Sequence, residues 1–249
     1  MKGQGRRVAG LHAVRAALAH GADALEGVWY DARRHDRRLG QLLSALRQAG
    51  IHPQKVDRRR LDELAPGANH QGIVAQVRGP VAGDEKALDE LLTHLEAPPF
   101  LLVLDEIQDP RNLGACLRSA EAAGVHAVVA PRDRAAGLTP AACKVASGAA
   151  EVLPYIQVTN LARTLRHLRD AYGIRLVGTD DQAETLLWQA DLTGPLALVM
   201  GNEAKGLRRL TREHCQQLVR LPMAGRVESL NVAVATGVVL FEGVRQRSS

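Results

Sequence analysis

Apolar positions along the chain fall into runs separated by turn residues, and the period of the runs changes from segment to segment. In the first third, helical spacing over residues 11–18, 37–49 and 61–64 alternates with short apolar stretches at 27–30, 51–56 and 72–77. This alternation predicts a small α/β domain. Glycine and proline gather at both ends of residues 79–99, which fits an interdomain linker carrying one short helix. From residue 100 the pattern shifts. Residues 100–104 are continuously apolar, as a strand buried on both faces requires. Asp109 and Pro110 then stop it and begin a turn, a helix to about residue 123 comes next, and a strand follows at 127–130. Thr139-Pro140 predicts a cap and first turn for a helix ending near Ser147-Gly148. Strands at 152–158 and 175–178 flank a helix capped by Asn160, and 196–200 is a further buried strand. Strand, turn, helix and strand in this order predict a parallel sheet.

The C-terminal run is organised differently. A strand end at Leu218, Val219 and Leu221 breaks at Pro222, a loop centred on Gly225 follows, and Ser229 is the expected N-cap of the last helix. Leu230, Val234, Val238, Phe241 and Arg245 recur at helical spacing, which carries that helix to about Arg247. Residues 232–241 contain no charge, which predicts a helix buried on most sides, in a core or at a subunit interface. Met223, Gly225, Ser229 and Asn231 put bare backbone and small polar groups at its start, a place suited to a ligand.

Composition narrows the class. With 249 residues and 46% apolar content the chain can bury one large core or two small ones. Aromatic residues make up only 3%, so stacking on exposed rings cannot dominate a binding surface. No apolar run approaches the roughly 18 residues that span a bilayer, and the first residues lack the apolar core of a secretory signal. A cytoplasmic protein without a membrane partner is expected. Cys116, Cys143 and Cys215 form no CxxC pair, which argues for reduced thiols and against a disulfide or a metal site. Charge is uneven: residues 1–80 hold 14 Lys/Arg against 7 Asp/Glu, and the remainder 18 against 20, so +7 and −2 make up the net +5. Arg33, Arg34, Arg37, Arg38 and the triplet Arg58, Arg59, Arg60 form the basic clusters, which suit a phosphate backbone.

Three segments carry chemistry: Asn112-Leu-Gly114-Ala-Cys-Leu-Arg118, Gly201-Asn-Glu203-Ala-Lys-Gly206 and the C-terminal run. In this order they resemble the three motifs of the SpoU family of RNA 2′-O-ribose methyltransferases, within the SPOUT superfamily. The likeness extends over nearly the whole chain and is nearest to the members that methylate a guanosine of bacterial 23S rRNA. It implies a SPOUT domain over residues 100–249, α/β with a parallel sheet and a deep trefoil knot. An L30-like α/β substrate-binding domain is implied over 1–78, ending at His70-Gln71-Gly72, and so is a homodimer. S-adenosyl-L-methionine is the implied cofactor, although no GxGxxG turn is present, and Gly201, Leu221, Leu230, Thr179 and Met223 are its implied contacts. Arg118, Asn112, Glu203, Ser229 and Asn231 are the implied catalytic set, and Ala233 stands where many relatives have serine.

The implied reaction is displacement of the cofactor's methyl group by a ribose 2′-oxygen of 23S rRNA, in the peptidyl-transferase region. Deprotonating a guanidinium at pH 7 costs on the order of 7 kcal/mol. Arg118 is therefore expected to stay charged and stabilise the developing alkoxide, with an RNA phosphate, a water or Glu203 accepting the proton. Gly114, four residues earlier on the same helical face, is expected to clear space that Arg118 can reach. The alternatives are a tRNA guanosine-2′-O-methyltransferase, an RNA-binding ribosome-assembly factor without catalysis, and a small-molecule enzyme.

Overall fold

The computed structural model describes residues 6–34, 36–77, 79–203, 205–227 and 229–248. The chain divides into two units, with the boundary between Pro80 and Val81.

In the first unit, strands β1 (Arg6–Ala9), β2 (Leu25–Asp31), β3 (Gln54–Val56) and β4 (Ile73–Val77) form one sheet in the order β1-β4-β2-β3. The β1–β4 and β2–β4 pairs are antiparallel, and β2–β3 is parallel. Helices α1 (Leu11–His20) and α2 (Arg37–Gln48) share a core with Val28, Tyr30, Ile73 and Ala75. Asp36 starts α2 by accepting from the backbone N–H groups of Arg38 and Leu39, and it buries Leu39, Leu42, Leu43 and Leu46. Helix α3 (Arg58–Leu64) packs with Val74, Trp29 and Val56 through Leu61 and Leu64. Strand β1 has no counterpart in the apolar pattern, because its only apolar residues are Val8 and Ala9, which pack on the core while the backbone pairs with β4.

The second unit is a six-stranded parallel sheet, ordered β10-β8-β9-β5-β6-β7. Its strands are β5 (Phe100–Leu104), β6 (Ala127–Pro131), β7 (Tyr155–Val158), β8 (Arg175–Thr179), β9 (Leu196–Met200) and β10 (Gln217–Val219). Strands β5, β6 and β9 are buried at every position, as their unbroken apolar sequences require. One face is covered by α5 (Pro110–Ala122), α6 (Pro140–Ala146), α7 (Ala149–Val152) and α10 (Val232–Arg247). Helices α4 (Glu85–His94) and α8 (Leu161–Tyr172) cover the other through Leu88, Leu92, Leu161, Leu165 and Leu168. A short α9 (Arg209–His214), too polar to be seen as a periodic run, precedes β10.

Four expectations change. Residues 81–99 are not a free linker, because Leu88 and Leu92 of α4 are buried against the parallel sheet and Gly83 bridges to Ile156. Val152 ends α7 instead of starting a strand, and β7 begins only at Tyr155. Ser229 does not cap the last helix: Asn231 does, its side chain accepting from the N–H groups of Ala233 and Val234 at 3.0 and 3.4 Å. The last helix, expected to be buried on most sides, is buried by its own chain on one side, and the face bearing Val234, Val238 and Phe241 is turned outward. Val232, Thr236, Val239, Leu240 and Gly243 are buried, whereas Val234 and Phe241 are 54% and 50% exposed and Val238 is 37% exposed. A helix apolar on all sides has no periodicity to reveal which side meets its own chain.

Helices α5 and α10 are locked by polar as well as apolar contacts. Thr236, fully buried, donates to the Val232 carbonyl at 2.7 Å and receives the Cys116 thiol at 3.6 Å. Burial pushes the Cys116 thiol up to about 11 and the Cys215 thiol up to about 12, so neither is a nucleophile at neutral pH.

Candidate active site

Thr179, Met200 and Val219 are the last residues of three neighbouring parallel strands, and a cavity of about 340 Å³ opens beyond them. That is the end of a parallel sheet where open α/β folds hold ligands. Gly201, Glu203, Leu221, Met223, Ser229 and Leu230 complete its working surface, so all five expected cofactor contacts line one cavity together with two of the expected catalytic residues.

The loop after β9 folds back on itself. Asn202 and Gly206 exchange backbone hydrogen bonds of 3.0 and 2.8 Å, and Gly206 turns the chain with φ +64°. A Cβ on Gly201 would sit 2.3 Å from the Gly206 carbonyl carbon and 2.5 Å from the Leu207 nitrogen. Only glycine fits there, and the bare backbone it leaves faces a cavity.

Asn112, Glu203 and Asn231 join the three motifs. Asn112, in the first turn of α5, donates from Nδ2 to Glu203 Oε1, and Asn231 Nδ2 donates to Asn112 Oδ1 at 3.1 Å. Asn231 thus holds Asn112 with one end of its amide and starts α10 with the other.

Arg118 is elsewhere. It lies exposed on α5, outside the lining of this cavity, and its guanidinium donates to Ser147 Oγ at 3.5 Å. Gly114 does not clear space for it. An added Cβ there would lie 2.4 Å from the Ala142 carbonyl oxygen and 2.8 Å from Val145 Cβ, so Gly114 lets α5 and α6 touch.

A carboxylate clamp behind the cavity was missed. Asp105, fully buried after β5, accepts from Arg208 Nε at 2.6 Å and from Arg208 N at 3.0 Å. Glu106, held at φ +61°, pairs with Arg208 at 3.3 Å and with Arg134 at 3.6 Å, while its carbonyl accepts from Asn202 Nδ2 at 3.0 Å. The loop 201–208 is therefore pinned at both ends. The available signal was an Asp-Glu pair directly after a wholly apolar strand, a costly place for charge without partners. Replacing Arg208 with methionine removes the clamp from a buried carboxylate. Because the Arg208 side chain is 40% exposed and so partly screened, the expected loss is about 1–3 kcal/mol in urea unfolding.

The SpoU rRNA Methylase family pattern matches residues 99–241, and the RNA 2′-O ribose methyltransferase substrate-binding pattern matches residues 7–80. The chain belongs to the SpoU family. SpoU relatives from Photorhabdus laumondii and Ralstonia nicotianae, each named 23S rRNA (guanosine-2′-O-)-methyltransferase RlmB, are 56% and 54% identical to it. The first alignment covers 96% of this chain and 98% of the relative, and the second 96% and 95%. Among solved SpoU structures, the methyltransferase AviRb from Streptomyces viridochromogenes in complex with AdoMet is 28% identical with a TM-score of 0.76. That match covers 98% of this chain and 90% of AviRb.

Proposed function

We propose that the protein transfers the methyl group of S-adenosylmethionine to the ribose 2′-oxygen of a guanosine in 23S rRNA. The observation that carries the reading is one cavity at the ends of β8, β9 and β10, lined from two motifs and hydrogen-bonded to the third. The cavity suits the cofactor: its volume lies within the roughly 300–1,000 Å³ of small-molecule sites, and the Gly201 backbone leaves a cradle that any Cβ would fill. Leu221, Leu230 and Met223 would enclose the adenosine, with Thr179 and Gly201 offering polar backbone and hydroxyl groups. When bound, the cofactor supplies a methyl group on a cationic sulfur, already primed for displacement. The protein's share is alignment and charge. Asn112 and Asn231 orient the ribose, Glu203 holds Asn112, and Ser229 shapes the loop beside them. The Arg118 cation stabilises the 2′-oxyanion as its proton passes to water or an RNA phosphate.

The same reading includes a deep trefoil knot in the second unit, an L30-like first unit, a cytoplasmic location and a target in the peptidyl-transferase region. It also includes a homodimer. Leu230, Val234, Val238 and Phe241 leave a charge-free apolar stripe exposed on and beside α10, the kind of surface that a second copy covers. Since Arg118 is outside the lining of its own chain's cavity, it serves the site of the partner subunit. Phe241→Glu is expected to convert the dimer to monomer in sedimentation velocity and to remove activity with it.

The experiment for the function supplies methyl-labelled S-adenosylmethionine with 23S rRNA and tRNA transcripts and locates the label by nuclease digestion. Label on a guanosine 2′-oxygen of 23S rRNA is expected. Label confined to tRNA overturns the substrate assignment, and no label on either overturns the enzymatic reading.

A further inference from the structure

The first unit carries a second concavity, of about 220 Å³, that the reaction does not use. Asp31, Arg34, Arg58, Asp62, Asn69 and His70 are among its lining residues. The centre of its architecture is His70, only 5% exposed. The Gly72 backbone N–H can only donate, and it points at His70 Nδ1 from 3.0 Å, so Nδ1 is the acceptor and the ring proton sits on Nε2. That Nε2–H donates to Asp62 Oδ1 at 2.9 Å. His70 is thereby fully satisfied; its effect is to hold Asp62 in one orientation with its second oxygen open.

The rim is equally fixed. Gln71 has φ +45°, a conformation side chains rarely adopt, and it is locked by Ile73 N donating to His70 O at 2.9 Å and Asp31 N donating to Gly72 O at 2.9 Å. The Arg34 guanidinium is tied at Nε to Asp36 and at a terminal nitrogen to the Gln71 carbonyl, so it forms a fixed planar wall. Asp31 accepts at Oδ1 from Arg33 N at 2.9 Å. Arg58 is exposed and, among the described residues, has no hydrogen bond or ion pair.

An oriented carboxylate and an unengaged guanidinium lining one small concavity select a particular base. Guanine alone offers two adjacent N–H donors on its Watson–Crick edge, which match a carboxylate, and paired O6 and N7 acceptors, which match a guanidinium. Adenine and cytosine offer a carboxylate only one exocyclic amino group, and uracil only one ring N–H, so none of them matches both groups as guanine does. Unpaired RNA bases are read on these edges and stack on guanidinium planes, which suits a chain with few aromatic rings. We propose that the Asp62–His70 pocket of the first unit binds an unpaired guanine of the RNA substrate, with Asp62 on its Watson–Crick edge and Arg58 on O6 and N7. The inference rests on the RNA-methyltransferase reading.

The test uses the full chain labelled with ¹⁵N, titrated separately with guanosine, adenosine, cytidine and uridine 5′-monophosphates. Guanosine monophosphate is expected to shift the Gly72 amide and the His70 ring signals, and to bind about tenfold more tightly than the other three. Asp62→Asn removes that preference. Because Asp62→Asn also disturbs His70, Arg58→Gln is the companion variant: an exposed side chain without partners cannot unfold the unit. Both variants are expected to raise KM for 23S rRNA about tenfold while leaving kcat and the KM for S-adenosylmethionine unchanged. Equal binding of all four nucleotides, binding of none, or an unchanged KM for RNA in Arg58→Gln overturns the site. The titration needs no methyl transfer, so a wild-type protein that binds guanosine monophosphate here but methylates nothing overturns the proposed function and not the pocket.

Discussion

Arg118→Ala lowers kcat for methyl transfer about 10²–10³-fold, the usual cost of removing one group that stabilises a developing oxyanion. S-adenosylmethionine binding, followed by calorimetry, stays unchanged because Arg118 is outside the cavity lining. Folding stability is also unaffected, since the side chain is exposed and, among the described residues, has only a 3.5 Å hydrogen bond to Ser147 to lose. Arg118→Lys regains part of the rate, because it keeps the charge and loses the planar fork. An alanine variant with wild-type turnover would remove Arg118 from the mechanism altogether.

The second large effect concerns Gly201. Alanine there drives its Cβ to within 2.3–2.7 Å of the Gly206 and Leu207 backbone, which has no flexible end to swing aside. The loop must open, at a strain of about 1–3 kcal/mol, and affinity for S-adenosylmethionine falls about 10–100-fold. Equilibrium dialysis with labelled cofactor measures it, and an alanine variant that binds normally would show that the loop is not the cradle. Combining the two variants tests the dimer. At a cofactor concentration far below the weakened Kd each variant alone retains little activity, but if Arg118 acts across a two-fold interface, chains co-expressed in equal amounts form mixed dimers with one intact site, and about a quarter of wild-type activity returns. If Arg118 acts within its own chain, none returns.

Much of the site could be read before any coordinates. Thr179, Gly201, Leu221 and Leu230 were implied by the family likeness of the motifs and not by patterning: Thr179 ends β8 and Gly201 follows β9, whereas Leu221 and Leu230 lie in the loop between β10 and α10. The Asp-Glu pair directly after β5 signals that a partner is required, but that the partner is Arg208, 103 positions away, has no local signature. Asn231 displaced Ser229 as the cap for a related reason. Both residue types cap helices, and the choice fell to the residue whose amide could also reach Asn112. His70 is a similar case: a lone histidine before a strand says nothing until Asp62 and the Gly72 N–H are found on its two nitrogens.

By itself, then, the order of apolar and polar residues marked two α/β regions and the fully buried strands β5 and β9, while the residue identities of three motif segments carried the family likeness. Tertiary structure alone decided which face of α10 is turned outward, that Arg118 stands apart from its own chain's cavity, and that α4 belongs to the second unit's core. The reason is range. Periodicity records what a residue's near neighbours in the chain require, whereas the outward face of an apolar helix and the partner of a buried carboxylate depend on segments about a hundred residues away, which meet only when the sheet has closed.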